Sequence, residues 1–391
     1  MGDVLALAGH TVIWWTSNFS HHFKSFRSQD WKDIEVQERF KIRLVPTPGY
    51  QKNISLLRVI RDIYFAQRAF LFGKKILAPD CIISAEPPLF SGTASQKLAN
   101  YHRCPIIFDQ MDLWPELFES IFGSVCRPLI HILLYPIYLH RKKFYNKCEG
   151  IIALAQPNLD LALREAPRLK DCPHEIVYNG IDVQAFRAQM QLPLPKSIQL
   201  TQKRNNEIWA VFAGSLGPTY DIATMLKAAS WCERRKLPIR FIIAGDGPLK
   251  GIVESSILTK PHGLVSYIGK LSPLHLPRLY EMCDIGLSTY TWRSNVEMPD
   301  KFYDYTAAGL AIINSLRGEV REIIENKRLG LQYIPNDPIS LGLAIEKLCA
   351  DHELLKEIRR NSFSAAIVFD RKNQYARVVH LVNQVCKLYA D

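Results

Sequence analysis

Ile208-Trp209-Ala210-Val211-Phe212-Ala213-Gly214-Ser215-Leu216-Gly217-Pro218 is the stretch that decides the fold. An apolar run without alternation enters a loop held between two glycines, and a helix is expected from about Asp221. A strand that is apolar on both faces belongs to a parallel sheet covered by helices on each side. The stretch therefore predicts strand, tight turn and helix, the opening of a doubly wound α/β domain.

Working outward, similar β-branched runs recur between helix-sized segments. On the C-terminal side they are Ile239–Ala244, Val265–Ile268, Ile285–Thr289 and Ala311–Asn314; on the N-terminal side, Thr11–Thr16, Ile42–Val45, Cys81–Ser84, Ile106–Asp109 and Ile151–Ala155. The polar, proline-containing stretch 188–206 has no period and reads as a linker. The 391 residues then divide into an N-terminal domain, 1–187, and a nucleotide-binding C-terminal domain, 207–372. Residues 373–391 close the chain with a helix, about Asn373 to Tyr389. Its stripe of Tyr375, Val378, Val379, Val382 and Val385 is expected to pack back on the N-terminal domain. The fold class expected is α/β with two facing Rossmann-like domains. Residues 2–10 read as the end of a helix stopped by Gly9 and running into Thr11–Thr16. Doubly wound domains open with a strand, so the N-terminal domain is expected to lack its first one.

Composition narrows the partners. Forty-nine basic residues against 38 acidic ones give +11, a balance that suits an anionic ligand or surface as well as simple solubility. The basic residues are spread over both halves and not interleaved with aromatics along one face, which argues against nucleic acid. Nine cysteines stand singly, with no zinc spacing and an odd count, fitting a reduced, cytoplasmic protein. The first twenty residues lack a signal peptide's basic start and apolar core. The oiliest run, Pro128–Leu139, is shorter than the roughly 20 residues of a spanning helix.

Three elements carry chemistry. Gly214 and Ser215 open a turn between strand and helix, where backbone N–H groups can meet phosphate oxygens; alone, such a turn is weak evidence. Gly245-Asp246-Gly247-Pro248 makes a second turn at a strand's carboxyl end, where open α/β sheets bind ligands. Met298–Gly309 reads as a short helix with Pro299 at its start and Gly309 past its end. Lys301 and Asp304, three apart, share its first-turn face. The pair fits a diphosphate and a ribose, or a plain surface ion pair.

With these residues in place the chain resembles family 4 glycosyltransferases. The resemblance rests on Phe212-Ala213-Gly214-Ser215, Ala244–Pro248, Tyr267-Ile268-Gly269, Cys283–Leu287 and Pro299–Tyr305, in that order. In the N-terminal half it rests on Gly9–Val12, Trp14–Ser17, Asp112–Glu116 and Asn179–Asp182. The chain is most similar to bacterial surface-polysaccharide enzymes such as N-acetyl-fucosamine transferases. The resemblance implies a GT-B fold, a nucleoside-diphosphate sugar (UDP-linked) in the C-terminal domain, a glycan or polyprenyl-linked acceptor at the N-terminal one, retention of configuration, and no required cofactor or metal. It implies that Gly214 and Ser215 face the diphosphate with Lys301 supporting it, that Gly245 and Gly247 belong to the nucleotide-sugar crevice, that Tyr267 and Lys270 lie beside the base, and that Asp304 takes the place of a ribose-binding glutamate. The family's paired glutamates are separated by seven residues, whereas Glu297 and Asp304 have six between them and the matching position is Val296. Glu297 remains the candidate for the donor sugar. Asp109 and Asp112, expected to follow the strand beginning at Ile106, are candidates to position or deprotonate an acceptor hydroxyl; Asp112 is equally a helix cap. Residues 117–147 mix apolar side chains with Arg127, Arg141, Lys142, Lys143 and Lys147, which suits either buried packing or peripheral contact with the inner face of an anionic membrane. A sugar-nucleotide epimerase of the same fold, or a non-catalytic nucleotide binder, are the competing readings.

Overall fold

The computed structural model describes residues 1–21, 23–51, 55–86, 89–111, 115–116, 127–198 and 200–390. They form two compact units: residues 1–178 with 374–391, and residues 179–373.

The second unit is one sheet of six strands, all pairs parallel: β10 (Ile208–Ala213), β11 (Ile239–Ala244), β12 (Val265–Tyr267), β13 (Ile285–Ser288), β14 (Ala311–Asn314) and β15 (Gly330–Gln332). They lie in the order β12-β11-β10-β13-β14-β15, the doubly wound arrangement that reverses direction between its first and fourth strands. Every residue of β10 and β14 is buried, so both faces demand apolar side chains and the run carries no period-2 signal. Helices α7 (Ile222–Arg234), α8 (Lys250–Thr259), α9 (Leu276–Glu281), α10 (Asp300–Ala308), α11 (Glu319–Asn326), α12 (Pro338–Ala350) and α13 (His352–Ala365) connect or cover these strands. The main core joins Phe212, Met225, Phe241, Ile285, Ile313 and Ile345.

The first unit departs from the single parallel sheet expected for it. Its described strands fall in three separate sheets, one of them a two-stranded hairpin. β1 (Val12–Ser17) and β5 (Phe40–Val45) pair in parallel, but β4 (Lys32–Gln37) joins β5 antiparallel. A hairpin of β2 (Phe19–Ser20) and β3 (Ser25–Phe26) follows β1. The largest sheet of this unit is parallel, in the order β6 (Ile82–Glu86), β7 (Ile106–Gln110), β8 (Gly150–Ala153), β9 (His174–Ile176). Its helices are α2 (Leu56–Gly73), α3 (Leu89–His102), α4 (Arg127–Tyr145) and α5 (Gln156–Glu165). The short α1 (Gly2–Leu7) precedes β1, and Gly9 has φ of +97° just beyond it.

The units divide at 178/179, so the expected boundary after 187 falls inside the second unit. α6 (Val183–Gln189) is the reason. Asp370 accepts from Val183 N at 3.2 Å, and the Arg187 guanidinium donates to Ala307 O at 3.2 Å and Phe363 O at 2.8 Å. The closing helix α14 (Arg371–Ala390) returns to the first unit, where Val378, Leu381, Val382 and Val385 pack with Leu5, Ile107, Ile152 and Val177. Among the described residues no helix is long and apolar enough to cross a membrane.

Candidate functional site

Two glycine turns form at the carboxyl ends of β10 and β11, beside the point where the strand order reverses. Gly214 has φ of +145° and Gly245 +153°, conformations that side-chain-bearing residues rarely adopt. The space is closed as well. A methyl group on Gly245 would lie 1.9 Å from Gly214 O, and one on Gly214 would lie 2.6 Å from Lys301 Nζ. Backbone bonds tie the turns together: Gly214 N donates to Ala244 O at 2.9 Å, Leu216 N to Asp246 O at 2.9 Å, and Gly245 N to Gly269 O at 2.8 Å. The Tyr267 hydroxyl donates to Gly245 O at 2.8 Å. Gly247 completes the second turn, its N–H held by Asp246 Oδ1 at 2.9 Å. Ser215 is exposed at the tip of the first.

Lys301 enters from α10. Pro299 starts this helix and Gly309, left-handed at φ +69°, ends it, as expected. Lys301 is only 7% exposed. Among the described residues its ammonium has no hydrogen bond and no carboxylate within ion-pair distance; it rests over the rings of Tyr220, at 4.1 Å, and Phe212, at 5.0 Å. A buried cation held only by ring faces is costly until an anion reaches it. Lys301, the first turn of α10 and the Gly214 loop thus present positive potential at one spot.

One turn on, the Asp304 carboxyl stands next to the Tyr280 hydroxyl. Its carboxyl is pushed up to about 7, first by burial and then by the nearby Asp300 charge, against the opposing pull of Lys301, Tyr280 and Arg371. Near neutral pH it can accept from or donate to a hydroxyl.

Glu297 Oε2 accepts from Glu319 N at 3.3 Å, at the start of α11; burial raises its carboxyl. Lys270 is exposed beyond β12. Asp109 belongs to the first unit and sits within β7, not after it. By strand alternation it shares the face of Ile107, which packs with α14. Burial pushes its carboxyl up to about 7. Asp112 lies outside the described residues.

Sequence reasoning missed Tyr220, Tyr280 and Asp221. Asp221 caps α7 through Thr224 N and also accepts from Asn336 N at 2.8 Å, fixing the far end of the Gly214 loop. A helix-capping aspartate after the glycines was a readable signal; the tyrosine contacts join positions too far apart in the chain to leave one.

The strand order and the glycine turns at its reversal point define a Rossmann-like domain, and the chain has the α/β architecture of GT-B structures. Residues 195–364, nearly all in this domain, match the family described as "Glycosyl transferases group 1". The chain is 26% identical over 164 residues to the probable glycosyltransferase WbjE of Pseudomonas aeruginosa, 40% of each chain. It is 28% identical over 129 residues to the chitobiosyldiphosphodolichol beta-mannosyltransferase of Candida albicans, 32% of this chain and 28% of that one. The matches thus span less than half of either relative. Among solved structures it resembles Anabaena Alr3699/HepE in complex with UDP, with a TM-score of 0.63 and 15% identity over 89% of this chain and 86% of that one.

Proposed function

We propose that this protein is a retaining glycosyltransferase that moves a sugar, of the hexose or N-acetylhexosamine class, from a UDP-linked donor to a glycan or lipid-linked glycan acceptor in surface-polysaccharide synthesis. The observation that carries the reading is Lys301: a buried ammonium without a carboxylate partner among the described residues, against a glycine loop at the switch point of a doubly wound sheet. UDP held by a structure of similar fold and a relative named for a diphospholipid acceptor support the donor and acceptor classes.

In this reading Gly214, Ser215, Gly245 and Gly247 face the diphosphate, Tyr267 and Lys270 flank the base, Asp304 bonds the ribose, and Glu297 reaches the donor sugar. The acceptor oxygen bonds to the anomeric carbon as the bond from that carbon to the β-phosphate oxygen breaks. The hydroxyl proton passes to the departing phosphate. Negative charge grows on the leaving diphosphate, and Lys301 with the first-turn N–H groups of α10 is already oriented to stabilise it, often the largest catalytic term. The reading requires no metal or cofactor. Peripheral contact with the cytoplasmic membrane face through 117–147 is part of it: on α4, Leu129, Ile132, Leu133 and Tyr135 are exposed near Lys142, Lys143 and Lys147.

The test supplies purified protein with labelled UDP-sugars, with and without lipid-linked oligosaccharides. Acceptor-dependent transfer supports the reading. Donor isomerised without acceptor would make the protein an epimerase, and nucleotide binding without turnover on any acceptor would make it a binder; either result removes the transferase assignment.

A further inference from the structure

Most of the described cysteines serve packing. Cys148, Cys232 and Cys283 are fully buried, and the thiols of Cys148 and Cys283 donate to carbonyls of their own chain segment, Tyr145 O at 3.4 Å and Leu279 O at 3.2 Å. Cys172 is half-buried but accepts from the Arg168 guanidinium at 3.4 Å. Cys81 and Cys386 are different. Both are free thiols, both are half-buried, and both belong to the first unit although most of the chain lies between them.

Cys81 stands immediately before β6, and Cys386 lies near the C-terminal end of α14. Cys386 follows Val382 by one helical step of four residues, on the edge of the stripe that α14 buries. On the strand side, alternation turns Cys81 to the same face as Ile83. Cys81, Ile83 and Cys386 all pack against the one apolar cluster built by Val378, Leu381, Val382 and Val385 with Ile107 and Ile152. The Cys386 S–H reaches Asp80 O at 3.8 Å, and that carbonyl is bonded to the Cys81 nitrogen. The two thiols stand side by side. Their acidities are unequal: the Cys386 thiol is held down to about 7 by its Cys81 neighbour, against burial and the Asp80 charge. Cys81 moves the other way, raised first by Cys386 and then by burial. Cys104 is also near Cys81, but it is buried and its thiol is pushed up to about 11, first by burial. An accessible thiolate beside a second thiol is the arrangement in which one sulfur is oxidised and its neighbour resolves it.

We propose that Cys81 and Cys386 form a peroxide-sensitive thiol pair, whose disulfide fastens the end of α14 to the start of β6. The Cys386 sulfur attacks one oxygen of hydrogen peroxide, the O–O bond breaks, and the other oxygen leaves as water once protonated. The Cys81 sulfur then attacks the resulting sulfenic sulfur. The S–S bond forms as the S–O bond breaks, and the departing hydroxide takes the Cys81 proton as a second water. Two thiols thus lose two electrons and two protons, and the peroxide is reduced to two waters; a small dithiol reverses the change. The bond closes a loop that takes in most of the 391-residue chain, and long closed loops restrict the unfolded chain most. This pair does not depend on the transferase reading and is measured without nucleotide or acceptor.

The experiment treats the reduced full chain with hydrogen peroxide, blocks remaining thiols with iodoacetamide, and maps peptides without reduction. Cys81 and Cys386 should appear as the main linked pair, and dithiothreitol should release it. The linked protein should melt about 5–15 °C above the reduced one. Cys386→Ser, checked for an unchanged reduced melt, should lose both the link and the peroxide-induced rise. Cys81→Ser should instead leave a sulfenic acid at Cys386 that dimedone traps. Absence of the Cys81–Cys386 link in wild type, or a main link from either residue to Cys104, overturns the proposal. A Cys81–Cys386 link that leaves the melt where it was would show that the bond fastens nothing, and would overturn it too.

Discussion

Lys301→Met separates a cation kept for a ligand from one kept for the fold. The substitution retains most of the buried stem and removes the charge. Two contributions are lost with it, the contacts to Tyr220 and Phe212 at 4.1 and 5.0 Å, each about 1 kcal/mol. One penalty disappears, the partial desolvation of an ammonium that has no hydrogen bond or carboxylate partner among the described residues, about 1–2 kcal/mol. Asp304 loses an attractive neighbour, but its carboxyl, already up at about 7, can answer by staying protonated. Gain and losses roughly cancel, so the melt without nucleotide should move by no more than about 1 kcal/mol, or about 2–4 °C for a domain of this size. Binding changes more. Loss of a charge-assisted contact to a diphosphate, about 1.5–3 kcal/mol, weakens UDP about 10- to 150-fold. Differential scanning fluorimetry without nucleotide and calorimetric titration with UDP read the two effects separately. A variant that melts several degrees lower yet binds UDP like wild type would show that Lys301 is structural, and the reasoning would be refuted.

Further predictions concern the turns and the buried acids. Gly245→Ala should lower stability by about 1–3 kcal/mol from the forced φ alone, with more from the 1.9 Å approach to Gly214 O, and should abolish UDP binding in a chain that still folds; a normal melt would contradict the geometry. Glu86 is 3% exposed and burial pushes its carboxyl up to about 8 from 4.5. A raised acid favours the folded state at low pH, so its contribution is complete below 4.5 and is lost as pH rises through about 8. Glu86→Gln should flatten the pH dependence of urea midpoints across that window, and an unchanged slope would count against it. Glu297→Gln preserves the acceptor oxygen for Glu319 N, so the melt should hold within about 0.5 kcal/mol while kcat falls; undiminished turnover would confine Glu297 to capping α11.

How much could be read from the sequence follows burial. β10, β11, β13 and β14 are covered on both faces, and each was visible as an apolar run, as was the Lys301 helix between its proline and glycine. β4 was not visible: Lys-Asp-Ile-Glu-Val-Gln lies at the edge of its sheet and mostly exposed, where nothing requires an apolar face. The three-residue strands β9 and β15 are too short for periodicity. The split of the first unit into three sheets is a matter of hydrogen-bond pairing, which local composition does not encode. In the site, glycines and Lys301 announced themselves through turn chemistry and spacing. Glu297 illustrates the opposite: chain position suggested the donor sugar, and only tertiary geometry showed its bond to the start of α11.

The central claim is that a nucleoside diphosphate binds where the Gly214 and Gly245 turns meet the first turn of α10. Amide hydrogen exchange of the full chain with and without UDP tests it most directly. The account predicts protection at residues 214–217, 245–249 and 300–305; protection elsewhere, or none at saturating UDP, would contradict it.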